Sequence, residues 1–283
     1  MSQKKRYVAK QTICRKMDTN PYIQYSNLVG LPTPIIASYE FNFECRELHI
    51  NSVREFNKSF FAVLQKFGEA EQCPLFFEHL RVQFGLDLDQ SNEGKKKKPY
   101  KADLIRILKG WFFDSNRPEG AVLKGWVESR FGLRALFHKE PLRGMTSPEY
   151  QVYVSEKMHP RFHHHCIYSQ LDLLYEYTQQ FLRRFYQDGE PVTLYRGFNS
   201  AEGESQIVNK ISKKKWIIRN NCLASYSQDI ERASEFGDKL VSVQVPFSKI
   251  VCLPQALTGY IPSLEKEVLI LGGDYESDLI SFF

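Results

Sequence analysis

The stretch FLRRFYQDGEPVTLYRGF, residues 181–198, marks the point where one sequence pattern gives way to another. Before it, apolar residues recur every three or four positions, which is typical of amphipathic helices. The turn-forming run DGEP, residues 188–191, ends that pattern. From Val192 onward, short runs of β-branched and aromatic residues indicate strands. Helices followed by strands, without regular βαβ alternation, predict the α+β fold class.

The helical part of the sequence contains three strong periodic segments. Asn51 or Ser52 can cap the first helix, and Gly68 is a suitable stop. The second helix covers KADLIRILKGWFF, residues 101–113, and the third and longest covers residues 165–187. The predicted core-facing residues are Val53, Phe56, Phe60, Leu64 and Phe67 in the first helix, Leu104, Ile105, Leu108 and Phe112 in the second, and Ile167, Leu171, Leu174, Thr178, Phe181 and Phe185 in the third.

The remaining sequence predicts short strands with one helix among them. In KLVSVQV, residues 239–245, valines alternate with Ser242 and Gln244, so the valines share one face of a strand. The predicted strands are residues 192–198, 215–225, 239–245, 249–254, 267–272 and 278–283, and the helix is residues 229–237.

These patterns divide the chain into three parts that we expect to form one compact unit. Residues 1–25 form a basic, flexible tail, residues 26–190 a mainly helical portion, and residues 191–283 a β-rich portion. Hydrophobic residues make up 42% of the chain and aromatic residues 14%, which is typical of a globular protein. The helical portion is expected to pack on the β-rich core.

Cysteine usage and hydropathy narrow the class of protein. The six cysteines are widely spaced and form no C-x-x-C pair, so we expect reduced thiols in a cytoplasmic protein rather than disulfides or a zinc site. No apolar run reaches the roughly 18 residues that a membrane-spanning helix needs. The basic N-terminus is not followed by the apolar segment of a secretory signal.

Positive charge is concentrated in three segments, residues 1–20, 91–101 and 208–219. They hold 16 of the 38 basic residues but 2 of the 33 acidic ones, so the rest of the chain is acidic. Such clusters could steer an acidic partner or a nucleic acid. For each run alone, including Lys95 to Lys98, the favoured interpretation is a solvated loop, and no nucleic-acid partner is expected.

Two polar features of the β-rich portion have both a structural and a functional interpretation. Arg196 lies within an apolar strand, where a buried arginine needs a salt-bridge partner or an anionic ligand such as a phosphate. Gly197 beside it would let a ligand approach the backbone closely. Glu265 and Glu267 lie two residues apart at the start of a strand, either on a solvated edge or facing something that binds both acids.

The third polar feature is the pair Ser225 and Ser227, which end a predicted strand. The structural interpretation is that Ser227 or Asp229 caps a short helix. Ser225 would face the same side as Ser227 and could bond another group. The helix residues expected to pack inward are Ile230, Ala233 and Phe236.

The combination of these features is more specific than any one of them. An arginine on one strand, serine-x-serine on a second and E-x-E before a later strand resemble the R-S-E class of NAD-dependent mono-ADP-ribosyltransferases. Longer stretches resemble the dinitrogenase reductase ADP-ribosyltransferases, which inactivate nitrogenase, over most of residues 26–275. Tyr226 departs from the usual threonine, but its side chain should point away from the site. The stretches that carry the resemblance are SNLVGLPTPIIASYEFN, QLDLLYEYTQQFL, PVTLYRGF and NNCLASYSQDIERASEFGD.

The resemblance implies a toxin-like catalytic core and a role for each site residue. Arg196 would hold the pyrophosphate of NAD, and the backbone of Gly197 would bind the nicotinamide amide. Glu267 would stabilise the positive charge that develops on the ribose, fixed in place by Ser225. Glu265 would orient the acceptor arginine and accept its proton. Ser227 and Phe236 would complete the NAD site.

The resemblance also implies partners. The protein substrate would be dinitrogenase reductase, the nitrogenase iron protein, and family members are regulated through a PII signalling protein. NAD is the co-substrate, and no metal is expected. Two alternatives stay open: an arginine-specific transferase that acts on a different protein, as in defence or toxin systems, and a non-enzymatic binding module.

A metal site at MHPRFHHHC, residues 158–166, is the weaker interpretation of that histidine run. Consecutive histidines on a helix point in different directions, because residues on one face lie three or four apart. His159 and His163 alone have that spacing, and no acidic residue lies close to them in the sequence.

Overall fold

The computed structural model describes residues 24, 26–44, 46–86, 103–163, 166–186, 190–199, 206–261 and 266–282. Three predictions fall outside these residues: the basic tail except Gln24, the lysine run Lys95 to Lys98, and Glu265.

Ten α-helices lie in the described ranges, nine of them before residue 190. Three short 3₁₀ turns connect other elements at Pro160–Phe162, Phe247–Lys249 and Pro254–Leu257. The helices are α1 Thr33–Ala37, α2 Phe41–Glu44, α3 Val53–Phe56, α4 Lys58–Leu64, α5 Glu69–Phe84, α6 Leu104–Phe113, α7 Pro118–Phe131, α8 Pro148–Lys157, α9 Ile167–Leu182 and α10 Ile230–Ser234.

The strands of the described ranges form a two-stranded and a six-stranded antiparallel sheet. The large sheet has the order β4-β5-β3-β6-β8-β7, and β5 also pairs with β8. Helices together with antiparallel sheets confirm the predicted α+β class. The strands are β1 Phe137–His138, β2 Glu140–Pro141, β3 Pro191–Phe198, β4 Ile207–Lys210, β5 Lys215–Ser227, β6 Lys239–Pro246, β7 Ile250–Cys252 and β8 Glu267–Phe282.

Helix α9 joins the helical layer to the sheet and is buried on nearly all sides. Most of its buried polar side chains have hydrogen-bond partners, whereas none is found among the described residues for the Thr178 hydroxyl. Glu176 accepts hydrogen bonds from Ile50 N at 2.8 Å and from Arg54 Nε at 2.6 Å. On the sheet side, Gln179 Nε2 donates to Ile250 O at 2.8 Å. The predicted apolar stripe of this helix is confirmed except at Phe185, which lies beyond the helix end and is exposed.

The first predicted helix is wrong in its length and its face. The chain forms two short helices, α3 and α4, that meet at Asn57, and Phe56 is 86% exposed. The side-chain amide of Asn57 donates to Val53 O at 2.9 Å and so competes with the backbone for that carbonyl. In α6, the buried face is Leu104, Ile107, Leu108 and Trp111, while Ile105 and Phe112 are only partly buried.

The last two predicted strands are one continuous strand, β8. Gly273 takes a φ of +106°, a conformation that glycine tolerates, so the pair Gly272-Gly273 bends the strand without ending it. On either side of the bend β8 pairs with β5, from Glu267 with Ser227 to Asp278 with Lys215. In β6, the valines at 241, 243 and 245 are buried while Ser242 and Gln244 are more exposed, which agrees with the predicted alternation of faces.

Candidate active site

A cleft opens where strands β3 and β5 diverge. Among the described residues, the two strands are paired at one position, Tyr195 with Ser227. Beyond it β3 continues to pair with β6, while β5 continues to pair with β8. The cavity between them has a volume of about 500 Å³. Six residues that the sequence singled out line it: Arg196, Gly197, Ser225, Ser227, Phe236 and Glu267.

Arg196 lies in the cleft, where its described partners are neutral side chains. Its Nη1 donates to Asn220 Oδ1 at 3.3 Å, and its guanidinium carbon lies 5.6 Å from the centre of the Tyr226 ring. Among the described residues, no carboxylate forms an ion pair with Arg196, so the salt bridge of the structural interpretation is not found there. A half-buried guanidinium held by neutral groups can bind an anion.

The ring of Tyr226 packs against the guanidinium of Arg196. Tyr226 alternates with Ser225 and Ser227 along β5, and this alternation predicts a side chain on the opposite face. Tyr226 nevertheless lines the same cavity and contacts the Arg196 guanidinium, which lies over its ring, so the prediction that its side chain points away from the site is not confirmed. Its hydroxyl is 2.9 Å from Asn220 Nδ2, and burial raises the pKa of the phenol.

Ser225 and Ser227 have different hydrogen-bond partners. Ser225 Oγ accepts a hydrogen bond from Trp111 Nε1 at 2.9 Å. Ser227 Oγ accepts one from Asp229 N at 3.0 Å, which fixes the turn into α10. Asp229 is the N-cap of α10 and accepts from Glu231 N at 3.0 Å. The capping interpretation and an open role for Ser225 are therefore compatible.

Helix α10 is shorter than predicted and exposes two residues that were expected to pack inward. Ala233 is buried, but Ile230 and Phe236 are exposed, Phe236 at 54%. Because α10 ends at Ser234, Phe236 lies beyond the helix and on the edge of the cleft.

Gly197 has a packing role that its sequence context did not indicate. A Cβ at this position would lie 2.2 Å from the carbonyl oxygen of Ala233, far inside contact distance. Glycine therefore lets α10 pack directly against β3. Gly197 also lines the cleft. The same residue therefore contacts α10 and is accessible to a ligand in the cleft.

Glu267 begins β8 and is half-buried. The preceding residue, Lys266, anchors this end of the strand: its Nζ lies 3.0 Å from Asp229 Oδ2, and its carbonyl accepts from Gln228 N. The hydrogen bond from Lys266 is the main cause of the lowered pKa of Asp229. Burial, together with the nearby Glu267, raises the pKa of the Cys252 thiol.

One wall of the cleft, residues 111–115 at the end of α6, was not predicted from the sequence. Trp111 reaches Ser225, and Phe113 is 78% exposed with the Arg117 guanidinium 4.9 Å from its ring centre. The available signal was the aromatic run WFF, which continues past the buried face of the helix. Tyr195, Asn199 and Gln206 also line the cavity.

The histidine run does not form a metal centre in the part that the structure describes. His159 Nδ1 accepts from Arg161 N at 3.1 Å, and the His163 ring contacts the carbonyl of Lys157. Within the described ranges, no group of three or more His, Cys, Asp or Glu side chains could hold a metal ion. None of the described helices is long and apolar enough to cross a membrane.

Comparison with known proteins places the chain in a family. The model of the dinitrogenase reductase ADP-ribosyltransferase family matches residues 26–279. A relative from Rhodospirillum rubrum, named NAD(+)–dinitrogen-reductase ADP-D-ribosyltransferase, is 43% identical over 265 residues, which cover 91% of this chain and 96% of the relative. No solved structure matches the chain. The chain therefore belongs to the dinitrogenase reductase ADP-ribosyltransferase family.

Proposed function

We propose that the protein is an NAD-dependent mono-ADP-ribosyltransferase that transfers ADP-ribose to an arginine of dinitrogenase reductase and so inactivates nitrogenase. The relative from Rhodospirillum rubrum is named as an ADP-D-ribosyltransferase of NAD(+) and dinitrogen reductase, and its name says nothing of the acceptor residue. The observation that carries the proposal for this chain is the convergence of Arg196, Ser225 and Glu267 on one cleft from three different strands.

Arg196 is the residue proposed to hold the pyrophosphate of NAD. A guanidinium presents its N–H donors in a planar fork that matches phosphate oxygens. The contacts with Asn220 and Tyr226 hold that fork at the cleft without neutralising it. The peptide of Gly197 binds the nicotinamide amide, and the exposed Phe236 offers a ring for stacking.

Glu267 is the residue proposed to stabilise the transition state. When the bond between ribose and nicotinamide breaks, its electron pair leaves with nicotinamide and positive charge develops on the ribose. A carboxylate fixed beside that charge lowers the barrier, most strongly in a site shielded from water. Ser225 positions Glu267, because the two residues lie on the same face of the β5–β8 ladder.

Glu265 is the residue proposed to prepare the acceptor. A guanidinium has a pKa above about 12 and is a poor nucleophile until it loses a proton. A carboxylate at this position binds the acceptor's fork and takes that proton as the new bond to the ribose carbon forms. Glu265 lies outside the described residues, and its role follows from the E-x-E resemblance.

The proposal also covers the domain organisation, the cellular location and the regulation of the protein. The described strands of residues 191–283 form a toxin-like mono-ADP-ribosyltransferase core, and the described helices of residues 26–190 form its second part. The enzyme acts in the cytoplasm, and a PII signalling protein regulates it, as the resemblance implies.

The proposal is tested by incubating the purified chain with labelled NAD and dinitrogenase reductase in each of its nucleotide states. We expect label on dinitrogenase reductase, on an arginine that peptide mass spectrometry identifies. Label on another protein of a cell extract, with dinitrogenase reductase unlabelled in every state, would favour a different target. No labelled protein and no NAD turnover would refute transferase activity.

A further inference from the structure

We infer that Trp111 is a positioning residue of the transferase site, whose indole N–H fixes the Ser225 hydroxyl so that the hydroxyl proton is directed toward Glu267 and the ribose. The inference rests on the proposed function, because it assigns Trp111 a role in that reaction. It also gives the helical portion of the chain a direct part in the active site.

The hydrogen bond between Trp111 and Ser225 has a fixed direction. An indole nitrogen can only donate, whereas a serine hydroxyl can donate once and accept twice. At 2.9 Å from Trp111 Nε1, Ser225 Oγ therefore acts as the acceptor. Its own proton is left for a second partner in the cleft that both residues line.

Glu267 is placed to accept the proton of the Ser225 hydroxyl. In the β5–β8 ladder Ser225 pairs with Leu269 and Ser227 pairs with Glu267, so Ser225 and Glu267 are diagonal neighbours on one face. Diagonal neighbours are within reach of a long side chain such as glutamate. A Ser225 hydroxyl already bonded by Trp111 has lost much of its rotational freedom, so it presents its proton in one direction.

Trp111 is itself held in place by its surroundings. The side chain is 4% exposed, and Lys124 Nζ lies 5.8 Å from the centre of its ring. Lys124 is buried, with its Nζ 3.2 Å from His138 Nδ1, and His138 Nε2 is 2.8 Å from Glu156 Oε2. A cation over the ring face and close packing hold the indole in one orientation. Residues that are locked in this way can hold a catalytic group in a productive geometry.

A double-mutant cycle tests the inference, with Trp111→Phe, Ser225→Ala and the double variant. The readouts are kcat and KM for NAD in ADP-ribosylation of dinitrogenase reductase. Trp111→Phe keeps an aromatic ring but removes the donor, and we expect kcat to fall about 10-fold while KM changes less than about threefold. In the Ser225→Ala background, the same change should lower kcat less than about twofold.

Trp126→Phe is the matched control. It also removes an indole donor, one that bonds Asp172 Oδ1 at 2.7 Å outside the cleft. We expect it to lower the thermal midpoint of unfolding without lowering kcat. If Trp111→Phe instead leaves kcat unchanged, or if its effect multiplies with that of Ser225→Ala, Trp111 does not act through Ser225 and the inference is overturned.

A second measurement needs no change at Trp111. The chain has three tryptophans, and ¹⁵N-indole NMR reports each side-chain N–H separately. Ser225→Ala should shift one of these signals and leave the other two unchanged. Three unchanged signals would overturn the inference even if Trp111→Phe fails to fold. A wild-type chain that turns over no NAD would instead refute the proposed function, so the two failures are distinguishable.

Discussion

Ser227 on β5 and Glu267 on β8 are directly paired across the antiparallel ladder, so their side chains share the face that lines the cleft. The turn after Ser227 and the residue before Glu267 are joined by the ion pair of Asp229 with Lys266 at 3.0 Å. The start of β8 is thus joined to the end of β5 by the strand pairing and by this ion pair.

Glu267→Gln should lower the rate of transfer by about 10²–10³-fold, because it removes a fixed charge beside the developing cation. NAD should still bind with nearly its normal affinity, since the interaction matters mostly in the transition state. Steady-state kinetics and calorimetric NAD binding test both parts. Glu276→Gln on the same strand, where Glu276 bonds Lys215 at 2.6 Å, is the matched control and should retain kcat. Equal loss of activity in both variants would contradict the role of Glu267.

Arg196→Lys should weaken NAD binding by about 10- to 100-fold. The ammonium keeps the charge but loses the fork that binds two phosphate oxygens, and a charge-assisted hydrogen bond contributes about 1.5–3 kcal/mol. The dissociation constant for NAD is the quantity to measure. Arg219→Lys is the control, because Arg219 lies on β5 in an ion pair with Asp274 at 2.7 Å. An unchanged dissociation constant in Arg196→Lys would remove Arg196 from the NAD site.

Gly197→Ala should destabilise the fold by about 1–3 kcal/mol, as overpacking in a close-packed region does. The new methyl group would lie 2.2 Å from the Ala233 carbonyl and would push α10 away from β3. The free energy of unfolding in urea measures the effect. Gly144→Ala is the control, because among the described residues no heavy atom beyond its chain neighbours lies within 4 Å of a Cβ there. If both variants unfold at the same urea concentration, α10 does not depend on Gly197.

Lys249→Met should stabilise the protein, and more at pH 6 than at pH 9. Burial lowers the pKa of Lys249 to about 7, and its Nζ has no hydrogen-bond partner among the described residues. Between pH 7 and the ordinary value of 10.5, the unfolded chain binds more protons than the folded one, so the penalty shrinks as pH rises. At roughly 1.4 kcal/mol per unit of pKa, the gain should be smaller at pH 9 by about 2–3 kcal/mol.

Urea unfolding at both pH values tests the Lys249 prediction. Lys58→Met, at an exposed lysine, is the control and should change stability little at either pH. A stabilisation of Lys249→Met that is equal at pH 6 and pH 9 would contradict the lowered pKa.

The strand positions of the candidate site residues could be predicted from the sequence because local spacing determines them. Alternation along a strand places Ser225 with Ser227 and separates both from Tyr226, whatever the rest of the fold does. The α+β class follows in the same way from the change of pattern at residues 188–191. The family predicted from the combined motifs is confirmed by the match over residues 26–279.

Features that depend on distant contacts could not be predicted from local patterns. Trp111 and Ser225 are separated by 114 positions, and a tryptophan on the apolar face of a helix is indistinguishable from an ordinary core residue. At Asn57, where α3 and α4 meet, the side-chain oxygen lies 3.2 Å from His79 Nε2, a contact 22 positions away that helical periodicity does not show. The glycine pair at 272 and 273 is typical of a strand end, but β8 pairs with β5 on both sides of it.

The most direct test of the central claim is a structure of the protein with a non-hydrolysable NAD analogue. We predict the analogue in the cleft between β3 and β5, with its pyrophosphate hydrogen-bonded to Arg196 and its nicotinamide ribose beside Glu267. Binding instead in the basic cavity of about 400 Å³ lined by Arg54, Lys58, Arg183 and Arg184, with the β3–β5 cleft empty, would contradict the account.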